Sequence, residues 1–136
     1  MAEINADTWK GIAHAHAFGN RTGFLAKVTL AAAAIADEVQ LMKLPAGSQL
    51  LDWFSHNAAL GASTTISYGW KYADGSAGGG AAVLAAAAST SSAGMTRSAV
   101  APIKFTKDVI ITATVGGGVA TGVINFVPNY IYEGNL

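Results

Sequence analysis

Few residues in this chain have a type and spacing that could do chemistry. His14 and His16 stand two apart, so on an extended backbone their rings point the same way and could offer two ligands to a metal ion. No third ligand accompanies them, and solvated polar positions are the plainer expectation. Asp52 sits inside Leu-Leu-Asp-Trp-Phe, where an apolar setting could hold a general base. No second carboxylate or nucleophile stands beside it in sequence, which leaves a solvent-facing or interface-paired strand position. His56 precedes Asn57 after a strand-like run, and turn chemistry accounts for it. The triplets Gly78-Gly79-Gly80 and Gly116-Gly117-Gly118 lack the Lys-Ser/Thr of a phosphate-binding loop and its strand-to-helix setting. Ser91-Ser92-Ala93-Gly94 lacks the Gly-x-Ser-x-Gly frame of a nucleophile elbow. No enzyme class, cofactor or metal is expected.

The composition points toward assembly. Of 136 residues 51% are hydrophobic, but 28 are alanine and 16 more residues are glycine, so large apolar side chains are sparse and the core is thin. Charged residues make up 12%, against about 25% in ordinary soluble domains, and the formal net charge is zero. A chain with so little electrostatic repulsion tends to associate, so much of its surface is expected to be covered by neighbours. The basic residues are scattered from Lys10 to Lys107 without a cluster, which argues against nucleic acid. Cysteine is absent, so folding needs no oxidising compartment. The start, MAEINADTW, has acids and no apolar stretch, and the runs Leu30 to Ala36 and Ala81 to Ala88 are far shorter than the roughly 18 residues that cross a bilayer. Synthesis in the cytoplasm without a membrane partner follows.

The elements that would position these residues read as β-strands. Ile66, Tyr68 and Trp70 alternate with Thr65, Ser67 and Gly69, and Gln49 to Ser55 forms a second strand after a Pro45-Ala46-Gly47 entry, the two joined by a polar, glycine-containing turn. Val28 and Leu30, then Val39 and Leu41, mark two more strands. Between them AAAAIADE is expected to give a strand end, a helical turn and a polar reversal at Asp37-Glu38. Val109, Ile111 and Ala113 alternate in a central strand, and Gly116 to Gly118 is expected to close a hairpin onto Val119 to Val127. Pro128, which cannot donate to a ladder, marks an edge or the end of pairing, and Tyr130 and Tyr132 follow in a short tail strand.

Two segments depart from this pattern. Residues 1–24 place Trp9, Ile12, Phe18 and Phe24 among glycines, as an extended N-terminal arm with anchoring aromatics would. Residues 71–101 are rich in Gly, Ala and Ser and read as one long contact loop, with a short helix over Ala81 to Ala88 carrying Val83 and Leu84. The whole is all-β: a jelly-roll-like β-sandwich of seven or eight strands over residues 25–136, preceded by the arm. The expected contact residues are Trp9, Ile12, Phe18, Phe24, Val83, Leu84, Met95, Tyr130 and Tyr132.

Two stretches then carry a family likeness: AAAAIADEVQLMKLPAGSQLLDWFSHNAALGASTTISYGW, and FTKDVIITATVGGGVATGVINFVPNYI. The acidic turn Asp37-Glu38, the Leu44 to Gly47 strand entry, Ala59 to Thr65 leading to Gly69, and Thr121 to Tyr130 resemble the capsid decoration, or cement, proteins of tailed bacteriophages. The likeness covers about two thirds of the chain. One departure is Ala36 before Asp37, where that family commonly has glycine. The resemblance implies a non-enzymatic virion protein on the outer surface of the head shell. Its partners would be the major capsid protein and itself, as a homodimer in preference to a homotrimer. The alternatives are another virion part, such as a head fibre, tail or baseplate module, or a carbohydrate-binding sandwich stacking sugars on Trp53, Tyr68, Trp70 or Tyr72.

Overall fold

The computed structural model describes residues 2–6 and 21–132. Among them are eleven strands and no helix: β1 (Glu3–Asn5), β2 (Arg21–Gly23), β3 (Ala26–Ala33), β4 (Glu38–Leu44), β5 (Ser48–Asn57), β6 (Thr65–Tyr72), β7 (Gly80–Ser89), β8 (Gly94–Arg97), β9 (Ile103–Lys104), β10 (Val109–Gly116) and β11 (Ala120–Tyr132). The architecture is the expected all-β, jelly-roll-like sandwich. It exceeds eight strands because short segments at the margins also pair.

One sheet runs β1-β4-β10-β6-β7. The other has β11 and β5 at its centre, with β2 and β3 along the far side of β11 and β8 and β9 along the far side of β5. Alternation along each strand sends one set of side chains into the space between the sheets. Val39 and Leu41 from β4, Ile66 and Tyr68 from β6, and Val109, Ile111, Ala113 and Val115 from β10 meet Val28 and Leu30 from β3, Trp53 from β5, and Ile124, Phe126 and Tyr130 from β11. Trp53 stacks on Phe126 with ring centroids 5.2 Å apart, and Tyr68 of the facing sheet lies 5.1 Å from Trp53. A thin core is thus concentrated in one aromatic cluster that ties the two sheets together.

Two expected strand pairings are corrected. β5 and β6 belong to opposite sheets, and so do β10 and β11. Each connection carries the chain across the sandwich rather than closing a hairpin. Alternation states which side chains face inward, and inward residues suit a neighbouring strand and a facing sheet equally well. Gly117 does make the turn, at φ 73°, and a Cβ there would stand 2.0 Å from the carbonyl oxygen of Ser63. The φ expectation for this triplet therefore holds while the pairing does not.

The expected loop over residues 71–101 and its alanine helix are also corrected. Gly80–Ser89 is strand β7, paired antiparallel with β6, and Gly94–Arg97 pairs with β5. Alanine favours helix by only tenths of a kcal/mol per residue over most others, and an isolated helix of two turns is marginal. The open edge of β6 offers a full set of backbone partners instead. Gly69 admits this arrangement, since a Cβ on it would meet the Gly80 carbonyl oxygen at 1.8 Å.

The segment AAAAIADE contains no helical turn. β3 continues through Ala33, and the reversal follows at once. Asp37 Oδ2 accepts the Ala34 N–H at 2.9 Å, and Asp37 Oδ1 accepts the Ala2 N–H at 3.2 Å. This carboxylate therefore fixes the acidic turn and secures the start of β1.

Pro128 lies within β11, opposite Trp53. On its other side β3 pairing ends at Phe126 and β2 pairing begins at Asn129, and the Pro128 carbonyl accepts the Phe24 N–H at 3.3 Å. In an antiparallel ladder a residue's N–H and C=O face the same neighbour, so the missing donor falls where β3 hands over to β2.

Candidate assembly surface

Among the described residues the polar groups do not converge on a reaction centre. Asp52 lies 4.0 Å from Arg97 as a loose ion pair, and His56 is exposed with its ring edge-on to Phe54 at 5.5 Å. No group of three His, Cys, Asp or Glu able to hold a metal ion occurs among the described residues. His14 and His16 lie outside them. Trp53 and Tyr68 are buried and offer no sugar platform. Trp70 and Tyr72 are half-buried and packed edge to face at 5.1 Å, with Phe105 under Trp70 at 5.0 Å.

Among the described residues the two ends of the sandwich differ in charge. At one end the loops after β4, β6 and β9 bring together Lys43, Asp74, Lys107 and Asp108 around shallow depressions of about 310 and 290 Å³. Lys107 Nζ donates to Ser76 at 2.8 Å, lies 3.6 Å from Asp74, and stands over the Tyr72 ring at 5.4 Å. Hydrogen bonds from the Ser76 side chain and backbone hold the Asp74 carboxyl below its ordinary range, with Lys107 adding to the effect. Asp108 accepts the Ala46 N–H at 2.7 Å. These contacts tie the loops to one another.

The opposite end is built from the turns at residues 34–37, 58–64, 90–93 and 116–119. Backbone bonds join them: Ala36 N–H to the Val115 carbonyl at 2.8 Å, Leu60 N–H to Thr90 at 2.9 Å, and Thr121 N–H to Leu60 at 2.9 Å. Thr90 Oγ1 also donates to Thr64 Oγ1 at 3.0 Å, below the surface. The only ionisable side chain in these turns is Asp37, which is buried and consumed by the backbone. Ile35 and Val119 stand at the rim, 59% and 57% exposed. Among the described residues the three non-glycine positions with positive φ, Ala32 (54°), Ala36 (73°) and Ser63 (62°), are all in or next to these turns. The sequence signal for this end was the run of uncharged turns, which compositional reading passes over.

A third feature crosses the outer face of the β1-containing sheet. Lys71 of β6 reaches Glu3 of β1 at 2.9 Å and Glu38 of β4 at 2.5 Å, while Gln40 Nε2 donates to Glu3 at 2.7 Å. Burial of the Lys71 ammonium disfavours its charge, but Glu38 and Glu3 together outweigh that and raise its pKa above the ordinary lysine value. The network pins the short strand β1 to the sheet.

The expected contact residues are separated by this geometry. Leu84 and Tyr130 are core residues, 2% and 0% exposed, and cannot touch a neighbour directly. Phe24 and Tyr132 are half-buried at the sheet margin. Val83 on β7 and Met95 on β8 are exposed, on different sheets. Trp9, Ile12 and Phe18 fall outside the described residues. Exposed Leu25, Ile35 and Val119 were not among the expected contacts.

No protein-family model matches the chain, and no curated protein matches it. Solved structures do. A chain of the capsid of Ralstonia phage GP4 superimposes with TM-score 0.73 at 17% identity, over 96% of this chain and 97% of that one. A chain of the Cyanophage Pam1 capsid asymmetric unit gives 0.63 at 18% identity, over 88% and 90%. A chain of the acid-stable capsid of Helicobacter pylori bacteriophage KHP30 gives 0.55 at 16%, over 85% and 93%. The likeness is one of fold. It spans nearly the whole of each chain, so the sandwich is matched as a complete unit rather than as a shared fragment.

Proposed function

We propose that this protein is a non-enzymatic structural component of a bacteriophage virion, a decoration or cement protein seated on the outer surface of the head shell. It holds neighbouring subunits of the major capsid protein together and acts as a homodimer. The observation that carries this is the end-to-end match of the fold with a capsid chain of equivalent length at TM-score 0.73. The uncharged end with Ile35 and Val119 supports it, because an apolar rim without ionisable groups can be covered at little desolvation cost. A protein that binds only the assembled lattice shifts the equilibrium toward it, and many copies multiply a modest contribution from each. Neither nucleic acid nor membrane enters this role.

Purified heads test it. The protein is expected at a copy number comparable with the major capsid protein, as density on the outside of the lattice. Heads lacking it are expected to break at lower temperature or milder osmotic shock. Low copy number with density at the tail or baseplate would assign it to another virion part.

A further inference from the structure

Basic residues that are scattered along the sequence are gathered by strand pairing. Ser55 and Phe126 oppose each other and face the core, so the residues beside them, Phe54, His56, Asn125 and Val127, point out of the sheet. Register then places the flanking cations on that same outer face. Arg97 of β8 stands opposite Phe54, and Lys27 of β3 opposite Asn125. Past the bulge, where Leu50 and Tyr130 form the inward pair, Lys104 of β9 stands opposite Gln49 and Arg21 of β2 opposite Ile131. All four cations are exposed.

The face has a centre and a rim. Phe54, Val127 and Ile131 are half-buried along the two middle strands, while the cations line both margins, three strand spacings or about 14 Å apart. Asp52, 39% exposed and 4.0 Å from Arg97, is the one carboxylate on this face among the described residues. Four cations against one carboxylate leave a surplus of positive charge. The other described residues hold five carboxylates against three cations, so a chain of zero formal net charge is electrically two-sided. An apolar, aromatic centre inside a polar rim that carries arginine is the make-up of a protein–protein contact.

We infer that this face docks an acidic surface of another protein, whose carboxylates meet the four cations around the apolar centre. The inference rests on the capsid reading, in which that protein is the major capsid protein. A protein that holds two subunits together needs two contact surfaces; the uncharged end supplies one and the basic face the other. A second copy is disfavoured as the occupant, because two such faces set cation against cation. Nucleic acid calls for a continuous track of cations, and here Asp52 and the apolar side chains interrupt it.

Heads stripped of this protein, offered wild type and the double variant Lys27→Glu/Arg97→Glu over a range of salt, test the inference. Wild-type association is expected to slow as salt rises. The double variant is expected to associate about tenfold or more slowly at low salt, with a flatter salt dependence and an unchanged melting temperature. Lys107→Gln, which removes a cation from the end of the sandwich instead, is expected to match wild type. A wild type that does not bind stripped heads overturns the capsid reading and this face with it. Wild-type binding that is indifferent to salt and to the double reversal overturns the face and leaves the capsid reading standing. Retention of single-stranded or duplex DNA by the wild type at about 0.15 M salt, lost in the double variant, would give the face to nucleic acid instead.

Discussion

The hydroxyl oxygens of Ser55 on β5 and Tyr68 on β6 lie 2.6 Å apart in the buried centre of the sandwich, one from each sheet. Each satisfies the other in a site closed to water, beside the Trp53 and Phe126 rings. The bond helps set the relative placement of the sheets, because apolar contacts alone tolerate sliding and a buried hydroxyl pair does not. Tyr68→Phe leaves the Ser55 hydroxyl buried without a partner and is expected to cost about 1–3 kcal/mol; Ser55→Ala similarly strands Tyr68. The double variant should lose less than the sum of the two. Additive losses in a denaturant-melt cycle would show that the bond contributes nothing.

Alkali is expected to unfold the protein. Burial raises the Tyr68 pKa above its ordinary 10.0, with the Ser55 hydrogen bond partly opposing, and burial raises that of Tyr130 as well. Lys71 is raised above 10.5, because Glu38 and Glu3 outweigh its desolvation. For each group the folded state holds its proton more tightly than the unfolded chain. The stability so gained is fully present below the unfolded value and is lost as pH rises through the folded one. Melting temperature should therefore fall above about pH 10, and the fall should be shallower in Tyr68→Phe or Lys71→Met. Superimposable pH profiles for wild type and both variants would contradict this.

Ala36 occupies φ 73° in the turn fixed by Asp37, a left-handed angle that a Cβ disfavours. Ala36→Gly is expected to stabilise by roughly 0.5–1 kcal/mol, and Ala36→Val to destabilise by more than that. Thermal melts of the two variants should move in opposite directions.

Ile35 and Val119 project from the uncharged end. Ile35→Glu and Val119→Glu should leave stability within about 0.5 kcal/mol of wild type, since neither side chain packs in the core. Binding to heads stripped of this protein should fall by tenfold or more, in keeping with about 1.4 kcal/mol per decade. Full binding by both variants would move the docking face elsewhere.

Much of the fold was legible because inward and outward residues alternate. Ile66, Tyr68 and Trp70, or Val109, Ile111 and Ala113, can be placed on one face without coordinates. Sheet membership was not legible, since the same alternation suits a hairpin and a crossing connection. Bulges hid a further part. In β5 the partners pass from Leu50 to Asp52 across consecutive residues of β11, so Leu50 and Trp53 both point inward although they are three apart. Among the expected contacts, Leu84 and Tyr130 show the limit of apolarity as a signal, because the same side chain serves a core or an interface. Val83 and Met95 are exposed, yet nothing in their local sequence separates them from the buried pair.

β11 pairs with β2, β3 and β5, so the last strand of the described chain is the central one of its sheet. The three strands it joins have no common neighbour until residues 120–132 have left the ribosome. That sheet therefore closes only after β11 has been made, and its formation waits on contacts of long sequence separation. A nascent chain stalled before residue 120 would expose the inner faces of β3 and β5 together. The emergence of β11 thus becomes the checkpoint for both folding and any later assembly.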